Sequence, residues 1–319
     1  MNRQFILKKT NQLSTTERDL YLELFFRVFR RRMSTDQFDR KYLYTPTGYS
    51  YHGLMIIDGL IVGAYNTIPY LYKYFDKEVM FALSVDTMID EQYRGGPFSL
   101  LKIAKLVLDP MRQDGVSFAF GFPNDKAYEF TVRVLKWQDI GELDYYVLLR
   151  NVGAIIPKLR CFNSLSRAYA RVLVGLPGHQ DATQNEYNIE KANGKAFEKH
   201  RYDASYGAVD LQQGGKCVYK IYTEPPGIKT LYVIDVCPLN RVCFDEAIAR
   251  VYAECGRSID MILYVGALPF RPRRLRRLPE SRKPRRVRMC GKIIAPTVVD
   301  DRIFQIGNWK VNISNFDVR

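Results

Sequence analysis

Paired cysteines, histidines and long apolar runs are all scarce in this chain. Its six cysteines (Cys161, Cys217, Cys237, Cys243, Cys255 and Cys290) form no CxxC pair, and only three histidines accompany them. Neither a metal centre nor a disulfide framework is therefore expected. No histidine lies in a recognisable partner motif, which argues against a catalytic thiolate. No uninterrupted apolar run approaches the roughly 18 to 20 residues of a membrane span, and Met1 to Arg18 is too polar for a secretory signal, so a cytoplasmic location is the expectation. Apolar residues themselves are plentiful, at 47% of 319 residues. That is enough for a full core, and the length suggests two domains of ordinary size.

Acidic residues are missing where basic ones crowd. The formal charge is +14, yet residues 271–288 hold nine Arg and one Lys against the single acid Glu280. Three prolines, Pro272, Pro279 and Pro284, break this segment, so it is not a long basic helix, and it lacks the interleaved aromatics of a single-strand binder. It reads as a solvated loop between two strands. Its functional reading is attraction of an anionic acceptor such as a phosphorylated sugar, a nucleotide-sugar or a lipid headgroup, and nucleic acid fits less well than either.

Residues 4–9 form a short strand, and a helix begins at Thr16 with Leu20, Leu24, Phe25 and Val28 on one face. Arg27, Arg30, Arg31 and Arg32 close that helix and suit its negative dipole end. A second short helix covers 36–43. Three apolar, β-branched and aromatic runs follow at 50–58, 60–74 and 78–88, with Asp58-Gly59 and Asp76-Lys77 where hairpin turns are needed. They form an antiparallel meander.

Strand 78–88 leads into the turn Tyr93-Arg94-Gly95-Gly96 and a helix starting at Pro97. This is the layout of an anion site: glycines permit close backbone approach, and the first helical amides have no intrahelical partner. Leu100, Ile103, Ala104, Val107, Leu108 and Met111 then recur at helical intervals. Strand 116–122, a Pro123-Asn124-Asp125 turn, a helix reaching Trp137 and strand 142–150 complete a mixed α/β sheet. Downstream, an amphipathic helix at 159–173 and a linker-like stretch at 177–193 precede strands near 206–211, 216–222, 230–236 and 259–265 and a helix at 243–255.

The segments VDTMIDEQYRGGPFSLL and GFPNDKAYEF…LKW, in that order and spacing, resemble the pyrophosphate loop and the PN helix of the GNAT superfamily of acyl-CoA dependent N-acetyltransferases. The likeness covers about residues 3–150. It implies a GNAT-like domain with splayed central strands, acetyl-CoA as cosubstrate, no metal, and acetyl transfer by direct attack of an amine. Arg94, Gly95, Gly96, Phe98 and Ser99 are then expected to line the pyrophosphate, and Thr87, Met88 and Ile89 to offer backbone groups to the pantetheine arm. The loop departs from the family pattern. With Arg94 in the first family position, Pro97 replaces a glycine and Ser99 the last small residue; with one residue deleted, Gly96 and Phe98 take those places.

Such a transfer needs a base for the ammonium and an acid for the leaving thiolate. Asp86, a carboxylate inside an apolar strand, is the candidate base, with a purely structural hydrogen-bonding role as the alternative. Glu142 and Asp144 are weaker candidates that flank a strand. For the acid, the family's tyrosine position holds Thr131, so Tyr128, nearly one turn earlier, is the candidate, with Tyr145 and Tyr146 as alternatives. Asn124 either contacts the cofactor or caps its helix.

Residues 196–319 partly repeat the strand order without a glycine loop, as in tandem GNAT-like proteins. The resulting division is 1–150 for acyl-CoA binding, 151–195 for a helix and linker, and 196–319 for a degenerate copy shaping the acceptor side, closed by a C-terminal strand in NWKVNISNFDVR. The acceptor expected from this plan is a small-molecule or sugar amine, near the aromatic strand Tyr65 to Tyr74. The rival readings are a non-catalytic CoA-binding or scaffold protein and an anion or nucleic-acid binder using 271–288.

Overall fold

The structure, a computed structural model, describes residues 2–94, 97–178, 187–192, 194–212 and 214–316. In chain order its elements are β1 (Arg3–Lys9), α1 (Thr15–Phe29), α2 (Thr35–Tyr42), β2 (Tyr51–Ile57), β3 (Leu60–Tyr74), β4 (Lys77–Ile89), α3 (Pro97–Gln113), β5 (Val116–Gly121), α4 (Asp125–Arg133), β6 (Gln138–Glu142), β7 (Asp144–Leu149), α5 (Val152–Ile155) and α6 (Asn163–Gly175). There follow β8 (Ile189–Lys191), α7 (Lys195–Arg201), β9 (Gly207–Asp210), β10 (Lys216–Glu224), β11 (Ile228–Cys237), α8 (Arg241–Cys255), β12 (Met261–Gly266), β13 (Arg276–Arg277) and β14 (Arg288–Ile293).

Two compact units emerge, and neither is one continuous stretch: the first comprises 1–141, 188–201 and 287–308, the second 142–187, 202–286 and 309–319. These bounds differ from the division at 150 and 195 expected from the sequence.

The first unit is built on a sheet ordered β1-β2-β3-β4-β5-β14-β6, with β8 on the end of β3. β1 to β4 run as the expected antiparallel meander, and β4 pairs parallel with β5. The turn at Asp58-Gly59 has both residues at positive φ, 48° and 84°, as a two-residue type I′ hairpin requires. α3 lies on this sheet through Ile103, Ala104, Val107 and Met111, all buried against Tyr51, Met55, Ala82 and Val116. Burial of each Ile, Val or Met side chain here contributes about 1.5–3 kcal/mol. The helix approaches so closely at Gly53 that a Cβ there would stand 2.4 Å from the Ile103 carbonyl oxygen.

The second unit has a sheet ordered β13-β7-β12-β11-β10-β9. It repeats the plan of the first: antiparallel β9-β10-β11, a crossover helix α8, then β12 parallel to β11. Phe244, Ala247, Ile248 and Val251 of α8 pack with Leu231, Val233, Ile262 and Tyr264, joined by Ala170 and Leu173 of α6.

Two sequence-based expectations are corrected here. The strand at 142–150 does not complete the first sheet: β7 pairs with β12, and the place beside β5 is taken by β14, from the end of the arginine-rich segment. Among the described residues the tail forms no closing strand either. Residues 313–315 are a 3-10 turn, and Asn312 makes a single bridge to Gly266. The strand exchange has a physical cause. Apolar content identifies a strand, while its neighbour is chosen by packing far away in sequence.

Candidate active site

The pairing of β4 with β5 runs from Met80 opposite Val116 to Ser84 opposite Gly121 and stops there. β5 then leaves the sheet through Phe122-Pro123 into α4, whereas β4 continues to Ile89 against β3 alone. The expected splay is therefore present, and Val85 to Ile89 border an opening.

At the mouth of that opening β4 bulges. Ala64 faces Met88 and Asn66 faces Val85, so β4 spends one residue more than β3 between these pairs. Asp86 lies in this bulge with φ at 42°, a left-handed conformation that Asp and Asn tolerate better than other side chains. Such bulges re-aim a side chain out of the strand's alternation.

A buried polar cluster from other elements receives Asp86. Tyr42 of α2 donates its hydroxyl to Oδ2, and the Lys41 ammonium lies 2.7 Å from the same oxygen. Among the described residues, no side-chain hydrogen bond or ion pair reaches Oδ1. The Asn66 amide donates to the Asp86 carbonyl oxygen at 2.8 Å, which leaves its own oxygen to accept from His52 Nδ1 at 2.8 Å. His52 Nε2 then accepts from the Thr10 hydroxyl, also at 2.8 Å. Tyr21 donates to Tyr42 at 3.0 Å. Tyr21, Tyr42, His52, Asn66 and Thr10 are all fully buried. Burial, reinforced by the Asp86 charge, raises the Tyr42 pKa far above the usual phenol value, so Tyr42 stays a donor. Burial pushes the His52 pKa down to about 4, which keeps it neutral.

The strand-to-helix connection is held by Asp90, whose carboxylate accepts from Arg27 Nε at 2.6 Å, while Arg27 also donates to the Ile61 carbonyl. Arg27 is thus a structural clamp, although sequence alone reads it as a solvated helix end. Arg94 is exposed and donates to the Ile89 carbonyl oxygen at 3.1 Å, so its side chain braces the strand end. Gly95 and Gly96 lie outside the described residues. Phe98, in the first turn of α3, is 78% exposed, whereas Ser99 is buried. Along β4, Thr87 is exposed and Met88 buried.

Among the described residues, Tyr128 and Asp86 share no hydrogen-bond partner. The Tyr128 hydroxyl donates to Asp139 at 2.7 Å and its ring lies under the Arg288 guanidinium. Burial and the hydrogen bond to Asp139 push its pKa up to about 12. Asn124 caps α4 through the Ala127 amide at 2.9 Å, the expected alternative to cofactor contact. Thr131 bonds back to the Ala127 carbonyl. Tyr145 and Tyr146 lie in β7 of the second unit, and there Glu142 pairs with Lys283 and Arg286, and Asp144 with Arg277 and Lys283.

No protein-family profile matches the chain, and no curated protein matches it. Solved structures do. A conserved protein of unknown function from Enterococcus faecalis V583, a probable N-acyltransferase, superposes with a TM-score of 0.60 over 92% of this chain and 73% of its own, at 13% identity. GCN5-related N-acetyltransferases from Anabaena variabilis ATCC 29413 and Kribbella flavida give 0.58 and 0.57, over 91% of this chain and 73% and 71% of theirs, at 10% and 14% identity. This chain has the GNAT fold.

The two halves of this GNAT-fold chain treat the position after the parallel strand pair differently. In the second unit, β11 and β12 pair only as far as Val233 opposite Tyr264. Residues beyond Trp309 cross the gap: Val311 accepts from the Ala267 amide, and Asn312 bridges Gly266 and donates to Asp235 at 2.8 Å. Among the described residues no bridge crosses the corresponding opening of the first unit.

Sequence reasoning missed Tyr42, Lys41, His52 and Asn66. One signal for two of them was available: His52 and Asn66 are polar side chains at positions where their strands are otherwise apolar, and a buried polar group needs a partner.

Proposed function

We propose that the first unit binds an acyl-coenzyme A, in the simplest case acetyl-CoA, and transfers its acyl group to an amine by direct attack. The observation that carries this reading is the conjunction of the parted β4 and β5, the Asp86 bulge in β4, and the 17-residue helix α3 as the next helix after β4, beyond the 3-10 turn Glu91–Tyr93. Strand edge and helix end fit such a ligand: backbone groups of Thr87, Met88 and Ile89 for the extended arm, and the first turn of α3, with Arg94, Phe98 and Ser99, for the pyrophosphate. The bound thioester supplies the activated carbonyl. Pro97 at the first helical position costs the helix no bond but offers the phosphates one amide fewer.

Asp86 is assigned the amine. Tyr42 and Lys41 hold Oδ2, so Oδ1 is the oxygen that accepts the ammonium hydrogen bond, directly or through water, and receives the proton as the C–N bond forms. Tyr128, with its hydroxyl on Asp139, is not poised to protonate a thiolate, and coenzyme A leaves without it. The same observation favours a second reading, a cofactor-binding protein without chemistry.

The two separate in one assay. With acetyl-CoA and a panel of amino sugars, polyamines and amino acids, release of the coenzyme A thiol is expected to exceed the uncatalysed rate with at least one amine. Background release across the whole panel would leave the non-catalytic reading.

A further inference from the structure

The second unit carries a surface that acyl transfer does not use. α6 is apolar around more of its circumference than its own unit covers. Ala170 and Leu173 face the core, while Phe162, Leu165, Tyr169, Val172 and Leu176 are 50%, 66%, 51%, 64% and 37% exposed. Their spacings of three and four residues place all five in one stripe along the helix. Residues 145–178 contain no Asp or Glu, but they do contain Arg150, Lys158, Arg160, Arg167 and Arg171.

The stripe ends at a cationic cavity. Leu176, Arg271, Pro272, Arg273 and Arg276 line a space of about 460 Å³. Its wall is braced by hydrogen bonds: the buried Arg274 guanidinium donates to the carbonyls of Asp245 and Leu176, and Arg273 to those of Pro177 and Gly178. Phe270 and Leu275 are buried in the core on either side. Elsewhere in the basic segment, Arg277, Lys283 and Arg286 are engaged with Asp144, Glu142 and Glu280. Among the described residues, no acid lines the cavity beside these arginines.

We propose that this face docks on an anionic lipid bilayer, the α6 stripe entering the headgroup boundary and Arg271, Arg273 and Arg276 taking lipid phosphates. A single-helix stripe about 20 Å long is narrow for a stable protein interface of roughly 800 Å² per partner. Apolar side chains partition into a membrane one by one, and basic residues beside them add attraction to anionic lipid. The uniform positive charge also opposes pairing of this face with a second copy of itself. The proposal is independent of the acyltransferase reading.

The test is co-sedimentation of the full chain with vesicles of phosphatidylcholine alone and of phosphatidylcholine with roughly one third phosphatidylglycerol. Binding is expected to the anionic vesicles only, to weaken as salt rises, and to persist in inorganic phosphate at matched ionic strength. Leu165→Ser with Val172→Ser is expected to weaken it at least tenfold, and Arg271→Gln with Arg276→Gln comparably, all with unchanged circular dichroism and melting temperature. Equal binding to both vesicle types, or none to either, overturns the proposal. Loss of self-association in Leu165→Ser/Val172→Ser on analytical ultracentrifugation, without vesicle binding by the parent chain, would assign the stripe to an oligomer contact instead.

Discussion

Asp86→Asn is expected to lower kcat/KM for the best amine at least 100-fold, about 3 kcal/mol of transition-state stabilisation, while leaving acetyl-CoA affinity within about twofold. The choice of Asn matters. Asp86 adopts φ of 42° in its bulge, and Asn is the neutral residue that accepts this conformation most readily. It also keeps an oxygen for the Tyr42 hydroxyl. What it removes is the capacity to take a proton and the charge opposite Lys41. Initial rates of thiol release against amine concentration, with cofactor affinity measured separately, distinguish the roles. An unchanged kcat/KM would reduce Asp86 to an anchor for Lys41 and Tyr42.

Acidification from pH 6.5 to 4 is expected to cost the first unit about 3 kcal/mol through His52 alone. Burial lowers its pKa from 6.5 to about 4. In that interval the unfolded chain binds a proton that the folded chain does not, so stability rises with pH across the window and is lost as pH falls through it. Below about 4 this contribution is exhausted. Asp300, which Arg302 and Tyr74 hold below the usual carboxylate range, acts only at still lower pH, because its stabilisation is lost as pH falls below its ordinary 3.8. Trp137 in the first unit and Trp309 in the second are the two tryptophans. Urea titrations followed by Trp137 fluorescence in a Trp309→Phe background therefore report on the first unit. A midpoint flat between pH 6.5 and 4.5, or a His52 imidazole resonance titrating near 6.5, would show that this cluster does not hold the ring neutral.

The elements of the first unit are legible in its residues because each is set by local pattern. β3 is rich in apolar, β-branched and aromatic residues, α3 repeats its core face from Leu100 to Met111, and Asn124 caps α4 in the turn where it was expected. The strand exchange is not legible. β7 is apolar enough for a place in either sheet, and nothing in its sequence says that β14 will lie beside β5. The site divides in the same way. Asp86 stands out as a carboxylate in an apolar strand, but Tyr42, which receives it, lies 44 residues earlier on a short helix that reads as ordinary surface. Arg27 misleads because a cation at a helix end has a sufficient local explanation, yet its partner Asp90 is 63 residues away. Gly95 and Gly96, the glycines of the turn before α3, lie outside the described residues.

The central claim is that the opening beside Asp86 receives an acyl-coenzyme A, and calorimetric titration of the full chain with acetyl-CoA tests it most directly. Saturable binding of one cofactor per chain is expected, with a dissociation constant between about 1 μM and 1 mM, weakened by Phe98→Ala in the first turn of α3. Absence of saturable heat up to millimolar acetyl-CoA, from a chain with an intact melting transition, would contradict it.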